Sequence, residues 1–167
     1  MVDISFYGTV YNSAKYIERS LKSIVETALK LKCMCGLSSE IVIVDNYSDD
    51  GTWELMLKIR EQYKEIPMKF VRYRSSRGLG RNIALHITEG RYLFFFSDFD
   101  IEYDPNVLTK IICNYIKENH LNDKCLYIFL APRGKAIECG GIQNFNRAED
   151  IEFGARLLKK NVLCYQL

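Results

Sequence analysis

The chain has 167 residues, a length that suits one domain with a substantial core. Its formal net charge is +2, from 23 basic and 21 acidic residues, which favours neither a nucleic-acid-binding surface nor an acidic tail. Apolar residues make up 48% of the sequence, which indicates a globular rather than a disordered chain.

The first residues, MVDISFYG, lack the basic start of a signal peptide, and no apolar run is long enough to span a bilayer. We therefore expect no transmembrane segment and a cytoplasmic protein, either free or peripheral at the inner face of the membrane. The six cysteines form no C-x-x-C pair, so we expect reduced, mostly buried thiols and no zinc site. Cys33 and Cys35 fall in a predicted loop.

Five apolar segments predict strands. In chain order they are DISFYGTV, EIVIVD, MKFVRYR, RYLFFF and CLYIFLA. Helical patterns separate them, and strands joined by such crossovers pair in parallel. We therefore predict an α/β fold, a single-domain Rossmann-like α/β/α sandwich with a mostly parallel central sheet. In such sheets, ligands bind outside the carboxyl ends of the strands.

Five helices are predicted by apolar residues at helical spacing. The third is expected to pack Leu79, Ile83 and Ile87 inward and to stop at Gly90. The segment GKAIECGGIQNFNR is expected to be irregular. The apolar residues of the last helix, which begins near Ala148, are Ile151, Phe153, Ala155, Leu157 and Leu158.

A polar cluster follows each of the first four strands. These clusters are Thr9, Tyr11 and Asn12; Asp45, Asn46, Ser48, Asp49 and Asp50; Arg74, Arg77 and Arg81; and Asp98 and Asp100. In a parallel sheet all four meet at one rim. Aromatic and hydroxyl groups suit a nucleobase, a carboxylate suits base or ribose, and arginines with backbone N–H groups at a helix start suit phosphate.

The acidic pair follows the very apolar strand RYLFFF. On an extended backbone, Asp98 and Asp100 would point to the same side, about 6–7 Å apart. Two ionised carboxylates at that spacing repel by roughly 2–3 kcal/mol at an effective dielectric constant near 20. A divalent cation would remove this repulsion, and oxygen ligands favour Mg²⁺ or Mn²⁺ over zinc. The alternative is a solvated pair of acids at a strand end.

Four stretches carry a resemblance to a known family. They are TVYNSAKYIERSLKSI, EIVIVDNYSDDGT, RGLGRNIALHITEGRYLFFFSDFD and RAEDIEFGARLLKKN. In this order they resemble motifs of the nucleotide-sugar-dependent glycosyltransferases of family 2, which have the GT-A fold. The resemblance implies a single domain over 1–167, with a nucleotide-binding half over 1–100 and a short acceptor-side half over 101–167.

The resemblance also implies an enzyme and its substrates. A hexosyl group would pass from a UDP-, GDP- or dTDP-sugar to an unknown glycan, lipid or protein acceptor, with inversion and with Mn²⁺ or Mg²⁺ as cofactor. By position in the motifs, Thr9 and Tyr11 line the nucleoside pocket, Asp45 and Asn46 read base and ribose, and Arg77 and Arg81 lie near the diphosphate. Asp98 and Asp100 hold the metal, Asp98 also binds the nucleotide sugar, and Asp150 is the general base.

The sequence departs from the family pattern in several places. Asn46 replaces the second acid of the commoner Asp-Asp version, and RGLGRN is shorter than the typical loop. One extra residue lies between Gly90 and Asp98, so either the strand carries a bulge or Ser97 takes the first metal-binding position. The chain also ends soon after the predicted base-bearing helix, where many relatives continue, so a minimal enzyme and a truncated one both stay open.

The same residues bear on other possible functions. A nucleotide-sugar-binding module without turnover stays open as the alternative. A nucleotidyltransferase would normally have a Gly-rich, Lys-bearing loop after the first strand, and YGTVYNSAKY has none. A nicotinamide dehydrogenase is disfavoured because no G-x-G-x-x-G follows that strand. Glu152 and Arg156, four apart, are expected to form a surface ion pair.

Overall fold

The computed structural model describes residues 1–95, 100–118, 125–126, 130–160 and 164–165. Its strands are β1 (Ile4–Val10), β2 (Ser39–Asp45), β3 (Met68–Arg72), β4 (Tyr92–Phe95), β5 (Cys125–Leu126), β6 (Leu130–Pro132) and β7 (Cys164–Tyr165). Its helices are α1 (Ala14–Cys35), α2 (Thr52–Gln62), α3 (Arg77–Ile87), α4 (Pro105–Glu118), α5 (Arg133–Glu138) and α6 (Glu149–Lys159). Within these ranges, no helix combines the length and apolarity needed to cross a bilayer.

The described strands form one sheet in the order β3-β2-β1-β4-β6-β5-β7. β1 pairs in parallel with β2 and β4, and β2 pairs in parallel with β3. β6 is antiparallel to both β4 and β5, whereas β7 is parallel to β5. The predicted α/β fold with a mostly parallel central sheet is confirmed. The carboxyl ends of β1 to β4 therefore open on one rim.

Both faces of the sheet are covered because its central strands are apolar on both sides. Ile4 and Phe6 of β1 belong to a core cluster that includes apolar residues of α1, α2 and α4. Tyr7, the next residue, points to the opposite face of the sheet and belongs to a second cluster with Ala84 of α3 and Phe153 of α6. The sheet is thus the middle layer between two layers of helices.

The segment after α4 differs from the prediction of one parallel strand at CLYIFLA. Two short strands, β5 and β6, lie within it, and they pair antiparallel with each other. The following GKAIE, predicted to be irregular, forms most of the short helix α5. Parallel crossovers need a dozen or more connecting residues, and the three residues between β5 and β6 allow only a reversal of direction.

The inward face of α3 is only partly the predicted one. Ile83 and Ile87 are half-buried and pack against the second core cluster, as predicted, but the fully buried side chains of the helix include Arg81, Ala84 and Leu85. On α6 the apolar residues Ile151 and Leu158 are exposed, at 69% and 55%. Apolar periodicity alone could not indicate the whole inward face of α3, because the charged residue Arg81 lies on its buried side.

Gly90 is not the stop signal of α3. The helix ends at Ile87, and Thr88 is its C-cap in an extended conformation. Gly90 is buried against β1, where a Cβ atom would lie 2.5 Å from Ser5 Oγ and 2.6 Å from Ser5 N. The glycine is therefore required for the close approach of the chain as it enters β4.

The prediction of reduced thiols is wrong for two cysteines. A disulfide joins Cys35, the last residue of α1, to Cys113 of α4, with 6.4 Å between the Cα atoms. Cys33 is exposed and lies in the last turn of α1 rather than in a loop. The partner of Cys35 is 78 residues away in sequence, which is why spacing alone could not indicate the pair.

Candidate functional site

A cleft of about 480 Å³ lies at the carboxyl ends of β1 and β2. It is lined by Thr9, Val10, Tyr11, Asn12, Ser13, Tyr16, Asn46, Ser75, Ser76, Arg77, Asp100 and Asn146. The wall of this cleft therefore brings together residues from the polar clusters after β1, β2 and β3. It also includes Asp100, the last acid of the fourth cluster. This is the location at which open α/β sheets bind ligands.

The loops after β1 and β2 hold each other in place. Asn12 N donates to Ser48 Oγ at 2.9 Å, and the Asn12 side chain exchanges two hydrogen bonds with Asp49. Asn12 and Tyr47 both have left-handed backbone conformations, at φ 45° and 56°. Asparagine tolerates this conformation, whereas for a tyrosine it is unfavourable and persists only where surrounding contacts fix it. The floor of the cleft is therefore preformed.

Asp50 caps α1 from the neighbouring loop. The Ser13 side chain, at the N-cap position, makes no capping hydrogen bond. Instead, Asp50 Oδ2 accepts from Ala14 N at 2.9 Å, and Asp50 Oδ1 accepts from Thr52 N and Oγ1 at 3.1 and 2.6 Å. Burial by itself would raise the pKa of Asp50, but these hydrogen bonds from Thr52 and Ala14 outweigh it and lower the pKa below the ordinary 3.8.

We expect Asp50→Ala to lower the free energy of unfolding by about 1–2 kcal/mol, the typical worth of a lost helix cap. Asp49→Ala is the matched control, because it removes a single exposed side-chain hydrogen bond, the one from Asn12 Nδ2, and we expect a smaller loss. Urea unfolding followed by circular dichroism measures both. Since the pKa of Asp50 is lowered by folding, its contribution is complete above pH 3.8 and declines as the pH falls through the lower folded-state pKa. Equal losses in the two variants would contradict the capping role.

The N-terminus of α3 faces the cleft. Ser76 is its N-cap, with Oγ accepting from Leu79 N at 3.1 Å, and Arg77 follows as an exposed side chain in the cleft wall. Ser75 N donates to Asn46 Oδ1 at 2.8 Å, which ties this helix start to the end of β2. A helix N-terminus with an arginine beside it is suited to bind an anion.

Asp45 lies beneath the cleft rather than in its wall. Its side chain has no exposed surface. Ser48 Oγ donates to one carboxylate oxygen at 2.5 Å, and Arg72 Nε donates to the other at 2.9 Å. The Arg72 guanidinium in turn lies over the rings of Tyr47 and Trp53, at 5.3 and 5.0 Å from their centroids. In this arrangement Asp45 fixes the loop that carries Asn46.

Arg81 is also buried instead of lining the cleft. It forms an ion pair with Glu149 of α6, and both side chains are 1% exposed. The guanidinium lies over the ring of Phe95, 4.7 Å from its centroid. Nearby, burial raises the pKa of Tyr7 far above its ordinary value, an effect that the Arg81 charge only partly offsets. This buried charge pair joins α3 to α6.

Asp150 lies in the first turn of α6 and is half-buried. Its Oδ1 accepts from Ile151 N at 2.9 Å. The predicted Glu152–Arg156 pair is confirmed, with Nε to Oε1 at 2.5 Å and Nη2 to Oε2 at 2.8 Å. Arg156 also donates to the backbone carbonyls of Cys139 and Gly141, so this pair holds the turn after α5 and is not merely a surface contact.

The segment 142–147 connects α5 to α6 along α3, and sequence reasoning missed its role. Gly78 N donates to Phe145 O at 2.8 Å, and Asn82 Oδ1 accepts from Ile142 N at 2.9 Å. Asn144 accepts a hydrogen bond from the Ser76 side chain. This docking brings Asn146 into the cleft wall. The Gly-rich composition before α6 is the sequence feature that could have indicated this role, since glycine permits close approach between backbones.

Of the predicted metal-binding pair, Asp100 lies within the described residues. Asp98 lies outside the described residues, as does Ser97, so the bulge and the Ser97 alternatives stay open. Asp100 is exposed and lines the cleft. The described ranges contain no group of three or more His, Cys, Asp or Glu side chains that could hold a metal by themselves. Around Asp100 the cleft offers mainly hydroxyl and amide oxygens, the donor types that suit a hard cation.

Two solved structures illustrate the shared fold. The mannosyltransferase PcManGT from Pyrobaculum calidifontis, in complex with GDP-Man and Mn²⁺, aligns at a TM-score of 0.79 with 18% identity, over 98% of this chain and 54% of that one. TarS 1–349 from S. aureus, in complex with UDP-GlcNAc, aligns at 0.69 with 21% identity, over 93% and 53%. At these identities the similarity establishes the fold.

Curated relatives are similar in sequence over a shorter range. A dolichol-phosphate mannosyltransferase of Pyrococcus furiosus is 33% identical over 110 residues, 65% of this chain and 29% of that protein. A putative teichuronic acid biosynthesis glycosyltransferase of Bacillus subtilis, TuaG, is 28% identical over 107 residues, 64% and 39% of the two chains. The chain therefore spans less than half the length of these relatives. Residues 5–133 match the profile described as Glycosyl transferase family 2, and the chain belongs to that family.

Proposed function

We propose that the chain catalyses metal-dependent transfer of a sugar from a nucleoside-diphosphate sugar to an acceptor hydroxyl, with inversion. The observation that carries this proposal is the cleft itself. Hydroxyl, amide, arginine and carboxylate side chains from separate loops line it together with the N-terminus of α3. A nucleoside diphosphate presents the matching set of a base, a ribose and two phosphates.

The nucleoside would occupy the part of the cleft formed by β1 and β2. Tyr11 is 59% exposed and offers a ring face to a base, while Thr9 and Asn46 offer hydrogen bonds. Thr9 Oγ1 donates to Val44 O at 2.8 Å, which fixes the orientation of this hydroxyl. Asp45 acts here indirectly, by holding the loop that presents Asn46.

The diphosphate would lie at the start of α3. Arg77 and the positive end of the α3 helix dipole supply positive charge there. Asp100, together with Asp98, would hold Mn²⁺ or Mg²⁺ against the same phosphates. The bound cation would offset the negative charge that builds on the departing diphosphate. Arg81, one turn further along α3, contributes through Glu149 and not through the phosphates.

Asp150 is the candidate general base. An inverting transfer needs a carboxylate that accepts the proton of the acceptor hydroxyl as its oxygen attacks the sugar carbon, opposite the leaving diphosphate. Asp150 is half-buried at the N-terminus of α6, directly after the cleft-lining segment that carries Asn146. Its carboxylate accepts one backbone hydrogen bond, which leaves lone pairs for a hydroxyl proton.

Release of nucleoside diphosphate in the absence of an added acceptor tests the proposal. UDP- and GDP-sugars are tried first, because structural neighbours were solved with UDP-GlcNAc and with GDP-Man, and dTDP-sugars follow. We expect at least one donor to be hydrolysed faster with Mn²⁺ or Mg²⁺ than with EDTA. Tight donor binding without any release would instead favour a nucleotide-sugar-binding module.

We expect Asp100→Asn to weaken Mn²⁺ binding in the presence of the nucleoside diphosphate by at least tenfold, because it removes an anionic oxygen from the cation site. Asp104→Asn is the matched control: it makes the same charge change four residues away, in an exposed cap of α4 outside the cleft. Isothermal titration of Mn²⁺ measures both variants. If Asp100→Asn and Asp104→Asn bind Mn²⁺ as the unmodified protein does, Asp100 is not a ligand.

A further inference from the structure

The first turn of α6 carries three acidic residues that have different surroundings. Glu149 pairs with Arg81 in the core, and Glu152 pairs with Arg156 on the same helix. Asp150 lies between them, and within the described part of the chain its carboxylate forms no ion pair. Two of the acids are thus neutralised by arginines, while the third remains available for chemistry.

The start of α6 depends on contacts outside the helix. Its N-cap residue, Ala148, has a left-handed conformation at φ 58° and provides no side-chain capping hydrogen bond. A non-glycine residue in this conformation costs about 1 kcal/mol and persists only if its surroundings hold it. A contact with another helix lies one residue further along, where Glu149 pairs with Arg81.

Arg81 links this helix start to the donor side of the molecule. It lies on α3 about one helical turn after Arg77, the arginine of the cleft wall. Its guanidinium also rests on the ring of Phe95, at the end of β4. A displacement of Glu149 would therefore move Asp150 relative to Arg77. A fixed Arg81–Glu149 pair keeps Asp150 at a constant position relative to Arg77.

Burial makes this pair a rigid connection. Both side chains are 1% exposed, so separating them would leave two charges in a low-dielectric interior. The pair also joins residues 68 apart in sequence, on two different helices. By contrast, the Glu152–Arg156 pair is more exposed, at 32% and 23%, and lies within one helix.

We propose that the Arg81–Glu149 ion pair is a positioning element that fixes the Asp150 carboxylate relative to the donor cleft. The inference rests on the proposed function, in which Asp150 is the general base. The inference assigns a role to Glu149. It also changes the role of Arg81 from direct contact with the phosphates to the positioning of Glu149. Glu149 does not touch the substrate in this account, and its effect on turnover passes through Asp150.

Glu149→Gln tests this role. We expect it to lower kcat for donor hydrolysis at least tenfold, while the Kd of the nucleoside diphosphate changes less than twofold. Glu152→Gln, which also breaks an acid–arginine pair in the same helical turn, is the matched control and should change kcat less than threefold. If Glu149→Gln does not fold, Glu149→Asp keeps the charge, shortens the side chain by one methylene, and should show the same pattern with a smaller loss.

A double-mutant cycle separates positioning from general destabilisation. In an Asp150→Ala background, Glu149→Gln should cause no further loss of kcat, because its effect passes through the missing carboxylate. Additive losses would overturn the proposal, as would an unchanged kcat in Glu149→Gln. A parallel fall in nucleotide affinity would also overturn it, since that result indicates damage to the cleft.

Hydrogen exchange provides a readout that needs no turnover. Glu149→Gln should speed exchange of the backbone amides in the first two turns of α6, and Glu152→Gln should do so less. If the unmodified protein binds nucleotide but hydrolyses no donor, the proposed function fails and the exchange result alone decides the role of the pair. Equal protection in both variants would show that Arg81 and Glu149 do not fix this helix start.

Discussion

Replacing Asp150 by alanine is expected to reduce kcat for donor hydrolysis by a factor of about 10²–10⁴, the usual contribution of a positioned general base. The Kd of the nucleoside diphosphate should stay within twofold, because Asp150 does not line the cleft. Single-turnover measurements with saturating donor separate the chemical step from binding. Asp150→Asn preserves the shape of the side chain and should lose a similar factor, since an amide cannot accept the proton in the same way.

Two results would contradict the role of Asp150. The first is turnover in Asp150→Asn within threefold of the unmodified protein, which would assign the base to another group. The second is an equal fall in kcat and in nucleotide affinity, which would indicate that the substitution distorts the cleft. Thermal unfolding of both variants checks that the fold is retained, and we expect little change because Asp150 is half-buried with one local hydrogen bond.

Gly78→Ala is expected to have the largest structural effect. A Cβ atom at Gly78 would lie 2.0 Å from Gln143 O, 2.8 Å from Phe145 N and 2.9 Å from Phe145 O. All three are backbone atoms, so the segment 142–147 must move. We expect a loss of about 2–3 kcal/mol in the free energy of unfolding, within the range for overpacked sites. Because this segment carries Asn146 and leads into α6, turnover should fall at least tenfold.

Gly134→Ala is the matched control for Gly78→Ala. Each glycine is the second residue of a helix and follows an arginine, but a Cβ atom at Gly134 would meet nothing within 4 Å. Alanine favours the helix over glycine, so Gly134→Ala should leave the midpoint of urea unfolding unchanged or raise it. If Gly78→Ala unfolds at the same urea concentration as Gly134→Ala, the close contact between α3 and the segment 142–147 does not constrain the fold.

Much of the fold follows from local patterns in the sequence. The apolar segments of β1 and β2 predict strands, that of β2 being buried on both faces, and the polar clusters after them predict the rim where the cleft lies. Thr9, Tyr11, Asn46 and Arg77 meet there because the carboxyl ends of parallel strands share one edge. These predictions depend only on residues close together in the chain.

The features that the sequence did not reveal depend on partners far apart in the chain. Arg81 resembles a phosphate ligand by motif position, but its buried partner Glu149 is 68 residues away. Asp45 similarly pairs with Arg72 on the neighbouring strand β3. A carboxylate or guanidinium has the same local pattern whether it meets a ligand or another side chain, so only the packed structure distinguishes the two. The role of the segment 142–147 depends in the same way on its docking against α3.

A thermal-shift panel of UDP-, GDP- and dTDP-sugars, each with and without Mn²⁺, tests the central claim most directly. The account predicts that at least one donor raises the unfolding temperature, that Mn²⁺ increases this shift, and that Arg77→Ala reduces it by weakening the contact with the diphosphate. A panel in which no donor shifts the unfolding temperature, with or without Mn²⁺, would contradict the assignment of the cleft as a nucleotide-sugar site.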